Sequence, residues 1–293
     1  MTTVTVFRHS PPPVIGVCGV VFDRAFEAFE QNLDWLEAIV GFVGGGRITA
    51  IFLHALGDRG LALDRVTVSD TSADVRAKLQ ARFPKLTATA DNEEAAACER
   101  VFLALHPPAL KAVLPGIAPR VRKDAVVVSL APVLTLARLS QMLGGFSRLV
   151  RVLPNAPSLV AAGFNPVAFA GGLPSHARAE IEALLDGLGA HPVVPEGTLE
   201  AYAILAAMGP TYFWFQWQAL RESAASFGLA PAEADRALRA MLDGAVRTFF
   251  DAGLTAEQVL DLVPVKPLAE AEPQIRQAYL DVLPRLHAKL KGA

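Results

Sequence analysis

From residue 39 onward, short apolar runs alternate with stretches whose apolar positions recur every three or four residues. The runs at 40–43, 66–68, 101–105, 125–130, 149–152 and 167–169 are continuous and rich in valine. Parallel strands buried on both faces read this way. Between them, a helical period marks 72–83 and 134–143. The pattern predicts an α/β fold, an open and doubly wound sheet that receives ligands beyond the carboxyl ends of its strands. After about Pro195 only helical periods follow, at 198–227 with an interruption at Gly209-Pro210, then 231–252, 255–262 and 274–290. Pro231 is placed to open the second of these and Gly253 to close it. Tyr212, Phe213, Trp214, Phe215 and Trp217 cover most of a helix circumference. A helix apolar on every side has to be buried on every side. A homodimer with intertwined helices supplies that cover; a central helix in a monomer core is the competing arrangement.

The sharpest local feature is the junction of the first strand and the first helix. Ile39, Val40, Phe42 and Val43 are broken by Gly44, Gly45 and Gly46, and Ile48, Ile51, Phe52, Ala55 and Leu56 resume at helical spacing. Strand, glycine turn and helix present backbone N–H groups and a positive helix end to a pyrophosphate. About twenty-six residues beyond Gly44, the second strand ends in Ser69-Asp70, where a carboxylate accepts from an adenosine ribose. The expected organisation is an extension over 1–38, a Rossmann-type dinucleotide-binding domain over 39–195, and an all-helical dimerisation and substrate domain over 196–293.

Composition narrows the function classes. A chain of 293 residues with 52% hydrophobic and 19% charged residues holds a large core but no uninterrupted apolar span of membrane length. Its net charge of −2, without a basic tract, gives no footing for nucleic acid. Two cysteines without metal or redox spacing point to a reduced, cytoplasmic setting. No metal-ligating pattern such as HExxH is present. Near the start, Arg8 is the sole basic side chain before an apolar run, and Pro11, Pro12 and Pro13 would break a signal helix. Phe22, Phe26, Phe29, Leu33 and Leu36 fall on one helical face, so this stretch reads as an added helix packing on the body or on a second subunit, not as an export signal.

Several ordered motifs resemble pyrroline-5-carboxylate reductases. The glycine turn from Gly44 to Thr49 is similar to that family's G-A-G-N-M-A/G, and Asp91, Asn92, Glu93, Glu94 and Ala95 to its D-N-x-E-A. Leu105, His106 and Pro107 resemble its V-K-P, and Ser129 to Leu136 its S-I-A-A-G-V-T-L. RVLPNAPSLV, from Arg151 to Val160, is the most specific match, and Met208 to Tyr212 follow the G-S-G-P-A-Y helix. The resemblance implies a Rossmann domain, a helical dimerisation domain, and reduction of a cyclic imine with NAD(P)H. It further implies that the backbone of Gly44, Gly46, Arg47 and Ile48 holds the pyrophosphate, with Asp70 and Asn92 by the adenosine. Leu105, His106 and Pro107 would line the dinucleotide, Ala131 and Pro132 would face the nicotinamide, and Asn155 would organise the turn beside it.

The substrate half departs from that pattern. The family's serine before Gly-Pro is Met208 here, and its S-P-G-G-T-T segment is replaced by Val265, Lys266, Pro267, Leu268, Ala269 and Glu270. A buried carboxylate without donors costs several kcal/mol, so the substrate is not fixed by the resemblance. Lys266, Thr211 and Tyr212 are the candidate catalytic side chains. Asp70, with no cation following until Arg76, tilts the cofactor expectation slightly toward NAD(H). The leading expectation is an NAD(P)H-dependent reductase acting on a C=N or C=O bond. A β-hydroxyacid-type dehydrogenase competes, although the helix it would require to carry a lysine has none; a non-catalytic dinucleotide-binding dimer is the third reading.

Overall fold

The structure is a computed structural model that describes residues 38–292; the helix expected from Phe22 to Leu36 lies outside them. Strand β1 (Val40–Val43) passes through the glycine turn into α1 (Arg47–Gly57). Then follow β2 (Val66–Ser69), α2 (Ala73–Arg82), β3 (Thr87–Thr89), α3 (Asn92–Ala96) and β4 (Arg100–Leu103). The second half runs α4 (Pro107–Ile117), β5 (Val126–Ser129), α5 (Leu136–Met142), β6 (Leu149–Val152), β7 (Gly163–Phe164) and β8 (Val167–Phe169). Helix α6 (Ser175–Asp186) and strand β9 (Gly189–Ala190) complete this body. The main sheet has the order β3-β2-β1-β4-β5-β6-β8. Its chain reverses direction across the β1–β4 boundary, the switch point at which such sheets bind ligands.

The continuous apolar runs are explained by packing on both faces. In β4, Phe102 enters one core cluster while Val101 and Leu103 enter the other; in β5, Val126 and Val128 oppose Val127 in the same way. Phe42 stacks on Phe102 with ring centroids 4.8 Å apart, and Phe52 of α1 meets Phe102 edge-on at 5.8 Å. Each of these buried rings contributes about 1.5–3 kcal/mol by transfer from water, and together they fix α1 and its amino end against the sheet.

One expectation is corrected and another is refined. Strand β8 runs antiparallel to β6, pairing Val150 with Phe169 and Val152 with Val167. A parallel neighbour needs a crossover, usually helical. Here residues 153–166 supply only a 3₁₀ turn (Ala156–Val160) and the short β7, so the chain folds back. The helix expected over 198–227 breaks at Gly209-Pro210 as its sequence indicates, and a π turn before that point divides it further. It consists of α7 (Leu199–Tyr202), a π-helical turn (Ala203–Ala207) and α8 (Thr211–Ser226). Met208 N donates to Ala203 O at 2.9 Å, the five-residue bond of a π turn. At Gly209 a Cβ would stand 2.3 Å from Leu205 O, so no other residue fits the break.

Beyond it lie α9 (Pro231–Asp251), α10 (Ala256–Asp261) and α11 (Glu272–Lys291). Arg221 of α8 grips Asp235 of α9 through two bonds of 2.6 and 3.0 Å. Leu290 of α11 returns to pack beside Leu153, Leu199 and Ala203. Among the described residues these helices bury few of their own: Ala224 in α8, Ala234 in α9, and none in α10 or α11. Phe215 and Phe250 are 68% and 75% exposed. The all-round apolar helix is therefore not enclosed by the described residues.

Candidate dinucleotide site

The turn between β1 and α1 is held from three sides. Gly44 has φ +108°, and a Cβ there would lie 2.7 Å from Ala104 O, so the position requires glycine. Its N–H donates to Ser69 O at 2.8 Å, and Thr49 Oγ1 donates to its carbonyl at 2.6 Å. Gly45 N donates to Asp70 Oδ2 at 3.0 Å, and Ser72 N to Asp70 Oδ1 at 2.8 Å, so Asp70 ties the first glycine turn to the second strand. No side chain caps α1. The orphan N–H groups of its first turn and its positive end face a cavity of about 800 Å³. Residues 44–48, Asp70, Leu105, His106, Ala131 and Pro132 line this cavity. A Cβ on Gly46 would meet no atom within 4 Å, which leaves open space over the helix end. The donor set and the space fit a pyrophosphate.

Other predicted residues take different places. Ser69 is fully buried, and its hydroxyl donates to Asn92 Oδ1 at 2.8 Å; the pair braces the floor behind the cleft instead of lining it. Pro107 opens α4, where its missing N–H is harmless. Asn155, buried, accepts from Phe164 N at 3.0 Å and donates to Ala206 O at 3.3 Å, which joins the end of β6 to the π turn. Thr211 Oγ1 donates to Met208 O at 2.6 Å, and Tyr212 Oη to Ile204 O at 2.7 Å. Burial, with Tyr279 beside it, pushes the Tyr212 phenol up. Lys266 lines a separate cavity with Leu220, Leu268, Ile275 and Tyr279, so the fold of this chain does not bring it to the cleft.

Residues absent from the sequence expectation also stand at the cleft. Val75, Lys78, Leu79 and Arg82 line it from α2. Their spacing is the signal that reveals them, since it places all four on one helical face. Outside the lining, Arg151 is 1% exposed and bonds Glu196 Oε1 at 2.9 Å and Glu200 Oε1 at 2.6 Å. Burial opposes ionisation of Glu200. The Arg151 hydrogen bond and charge, with the Val133 N–H, outweigh it and hold the carboxyl below its ordinary range.

A family model described as NADP oxidoreductase, coenzyme F420-dependent, matches residues 39–132, the stretch that builds this cleft. The pyrroline-5-carboxylate reductase of Pseudomonas aeruginosa is 29% identical over 199 residues, spanning 67% of this chain and 72% of that protein. The Plasmodium falciparum pyrroline carboxylate reductase, solved with NADP bound, superposes with a TM-score of 0.74 at 18% identity, over 87% of this chain and 97% of its own. The Coxiella burnetii pyrroline-5-carboxylate reductase gives 0.63 at 25% identity, over 87% and 95%. Helical arm and sheet thus match together, and no helix among the described residues is long and apolar enough to cross a membrane. The chain is an NAD(P)-dependent oxidoreductase related to the pyrroline-5-carboxylate reductases.

Proposed function

We propose that this protein reduces the C=N bond of a small imine, in the cytoplasm, as a homodimer. The observation that carries the reading is the uncapped end of α1 over a cleft that continues to Ala131 and Pro132. In this reading the first turn of α1 and Arg47 hold the pyrophosphate, with Asp70 beside the adenosine ribose. Leu105 and His106 flank the middle of the dinucleotide, and Ala131 and Pro132 back the nicotinamide. The nicotinamide supplies the hydride when bound.

A protonated imine arrives with its proton, so hydride addition at carbon completes an amine without a further protein acid. Thr211 suits such a substrate. Its hydroxyl donates to Met208 O and so turns acceptor lone pairs outward, toward an iminium N–H. The relatives are named for pyrroline-5-carboxylate. Met208 and the stretch 265–270 supply few side-chain donors for a carboxylate, which favours an imine with a smaller anionic demand.

The slight preference for NAD(H) is offset in space. Helix α2 brings Lys78 and Arg82 to the end of the cleft that Asp70 occupies, so cations that seemed distant along the chain face the anion. The exposed aromatic surface of α8 and α9 supports the homodimer. The test is NADH and NADPH oxidation with pyrroline-5-carboxylate, other cyclic imines and ketoacids, alongside the two cofactor dissociation constants. Turnover of a cyclic imine is expected; turnover confined to ketoacids would refute the C=N assignment.

A further inference from the structure

The loop after β5 carries Ala131 and Pro132 into the cleft and then makes an unusual turn. Leu134 N donates to Pro132 O at 3.0 Å across Val133, whose φ is +82°. A two-residue hydrogen bond around a positive φ is the strained form of γ-turn. A β-branched residue is an outlier in that region, and such strain persists only where the surroundings over-determine it.

The surroundings are two glutamates four residues apart, on one face of the turn into α7. Glu200 Oε1 accepts the Val133 N–H at 3.2 Å and Arg151 Nη2 at 2.6 Å. Glu196 Oε1 accepts the Leu136 N–H at 2.6 Å and Arg151 Nη1 at 2.9 Å. Buried Arg151 thus aligns both carboxylates, and the carboxylates hold the loop at its strained residue and again three residues beyond it.

We infer that Glu200, aligned by Arg151, is a positioning residue that fixes the Val133 turn and thereby sets Ala131 and Pro132 against the nicotinamide end of the cleft. The inference rests on the proposed dinucleotide site. It links the helical arm to the reacting end: Glu200 lies in α7, one residue pair before the π turn that Asn155 and Tyr212 also secure. The adenosine and pyrophosphate end, built from residues 44–48 and α2, takes no part in this clamp.

The test is calorimetric titration of the full-length protein with NADH and with ADP, which fills the adenosine and pyrophosphate half alone. Two variants of similar volume are compared. Glu200→Gln keeps an acceptor for the Val133 N–H; Glu200→Met removes it. Glu200→Met should bind NADH about tenfold more weakly than Glu200→Gln, the loss of one good hydrogen bond. ADP should bind both alike. Adding Val133→Gly to Glu200→Met should recover most of the NADH affinity, because glycine adopts the turn without a clamp. Parallel loss of ADP and NADH, equal NADH affinity in the Gln and Met variants, or no recovery with glycine would each overturn the inference while leaving the site standing. Wild-type protein that binds neither ligand would overturn both.

Discussion

Gly44 and Gly46 stand two residues apart in the same turn, yet replacing each by alanine should have opposite consequences. At Gly44 an alanine must hold φ +108°, a conformation costing about 1–3 kcal/mol for a residue with a side chain. Its Cβ also meets Ala104 O at 2.7 Å. That carbonyl cannot retreat freely, since Ala104 N is bonded to Val43 O at 2.9 Å in the sheet. Overpacking of this kind adds about 1–3 kcal/mol. Gly44→Ala should therefore lose about 2–6 kcal/mol of a global stability on the order of 5–15, measured by urea unfolding followed by circular dichroism. Gly46 has φ −70° and ψ −169°, an ordinary extended pair, and its Cβ would touch nothing within 4 Å. Gly46→Ala should leave the unfolding midpoint near or slightly above wild type. The new methyl stands in the space assigned to the pyrophosphate, so NADH affinity, read by fluorescence titration, should fall at least about tenfold. A Gly44→Ala protein as stable as wild type would show that the turn is not built as described. Unchanged NADH binding by Gly46→Ala would remove the pyrophosphate from the end of α1.

Other outcomes follow from the same geometry. Glu200 in the unfolded chain takes up its proton near pH about 4.3, whereas in the folded protein it stays ionised to lower pH. Its contribution is therefore complete above that value and lost as pH falls through the folded one, so Glu200→Gln should flatten the acid limb of a stability-against-pH curve. An unchanged limb would refute this linkage. Lys266→Met should leave NADH affinity untouched, because the side chain lies outside the cleft; weakened binding would show that a second subunit carries it there. Thr211→Val should raise the KM for an imine without altering the NADH dissociation constant, and a reverse pattern would refute the proposed contact of Thr211 with substrate. Phe250→Glu on the exposed face of α9 should shift the protein toward monomer in sedimentation velocity, and an unshifted dimer would place the interface elsewhere.

Much of the sheet was legible because buried parallel strands announce themselves as valine runs, and β1, β2, β4, β5 and β6 lie where those runs fall. Strand β3 was not. Thr87, Ala88 and Thr89 form a half-exposed edge without an apolar run, and only pairing with β2 marks them as a strand. The direction of β8 was equally hidden, since periodicity carries no sense of polarity along the chain. At the site, glycine spacing revealed the turn, whereas exposure decided which neighbours reach it. Ser69 looked like a ligand-facing strand end but lies beneath the floor. Arg82 follows Asp70 by twelve residues in the sequence, yet both line one cavity. The Arg151 clamp escaped notice because its partners stand 45 and 49 residues away, a separation that no local pattern encodes.

The uncapped end of α1 has a further consequence, for the lifetime of the protein. A helix end whose N–H groups await a ligand leaves the ligand-free chain less stable than the same fold with a capping side chain, by about 0.5–2 kcal/mol. The dinucleotide repays this by mass action, adding about 2.7 kcal/mol when its concentration is a hundred times the dissociation constant. Resistance to proteolysis would then follow cofactor supply, and the glycine turn would act as a gauge of the dinucleotide pool as well as its cradle.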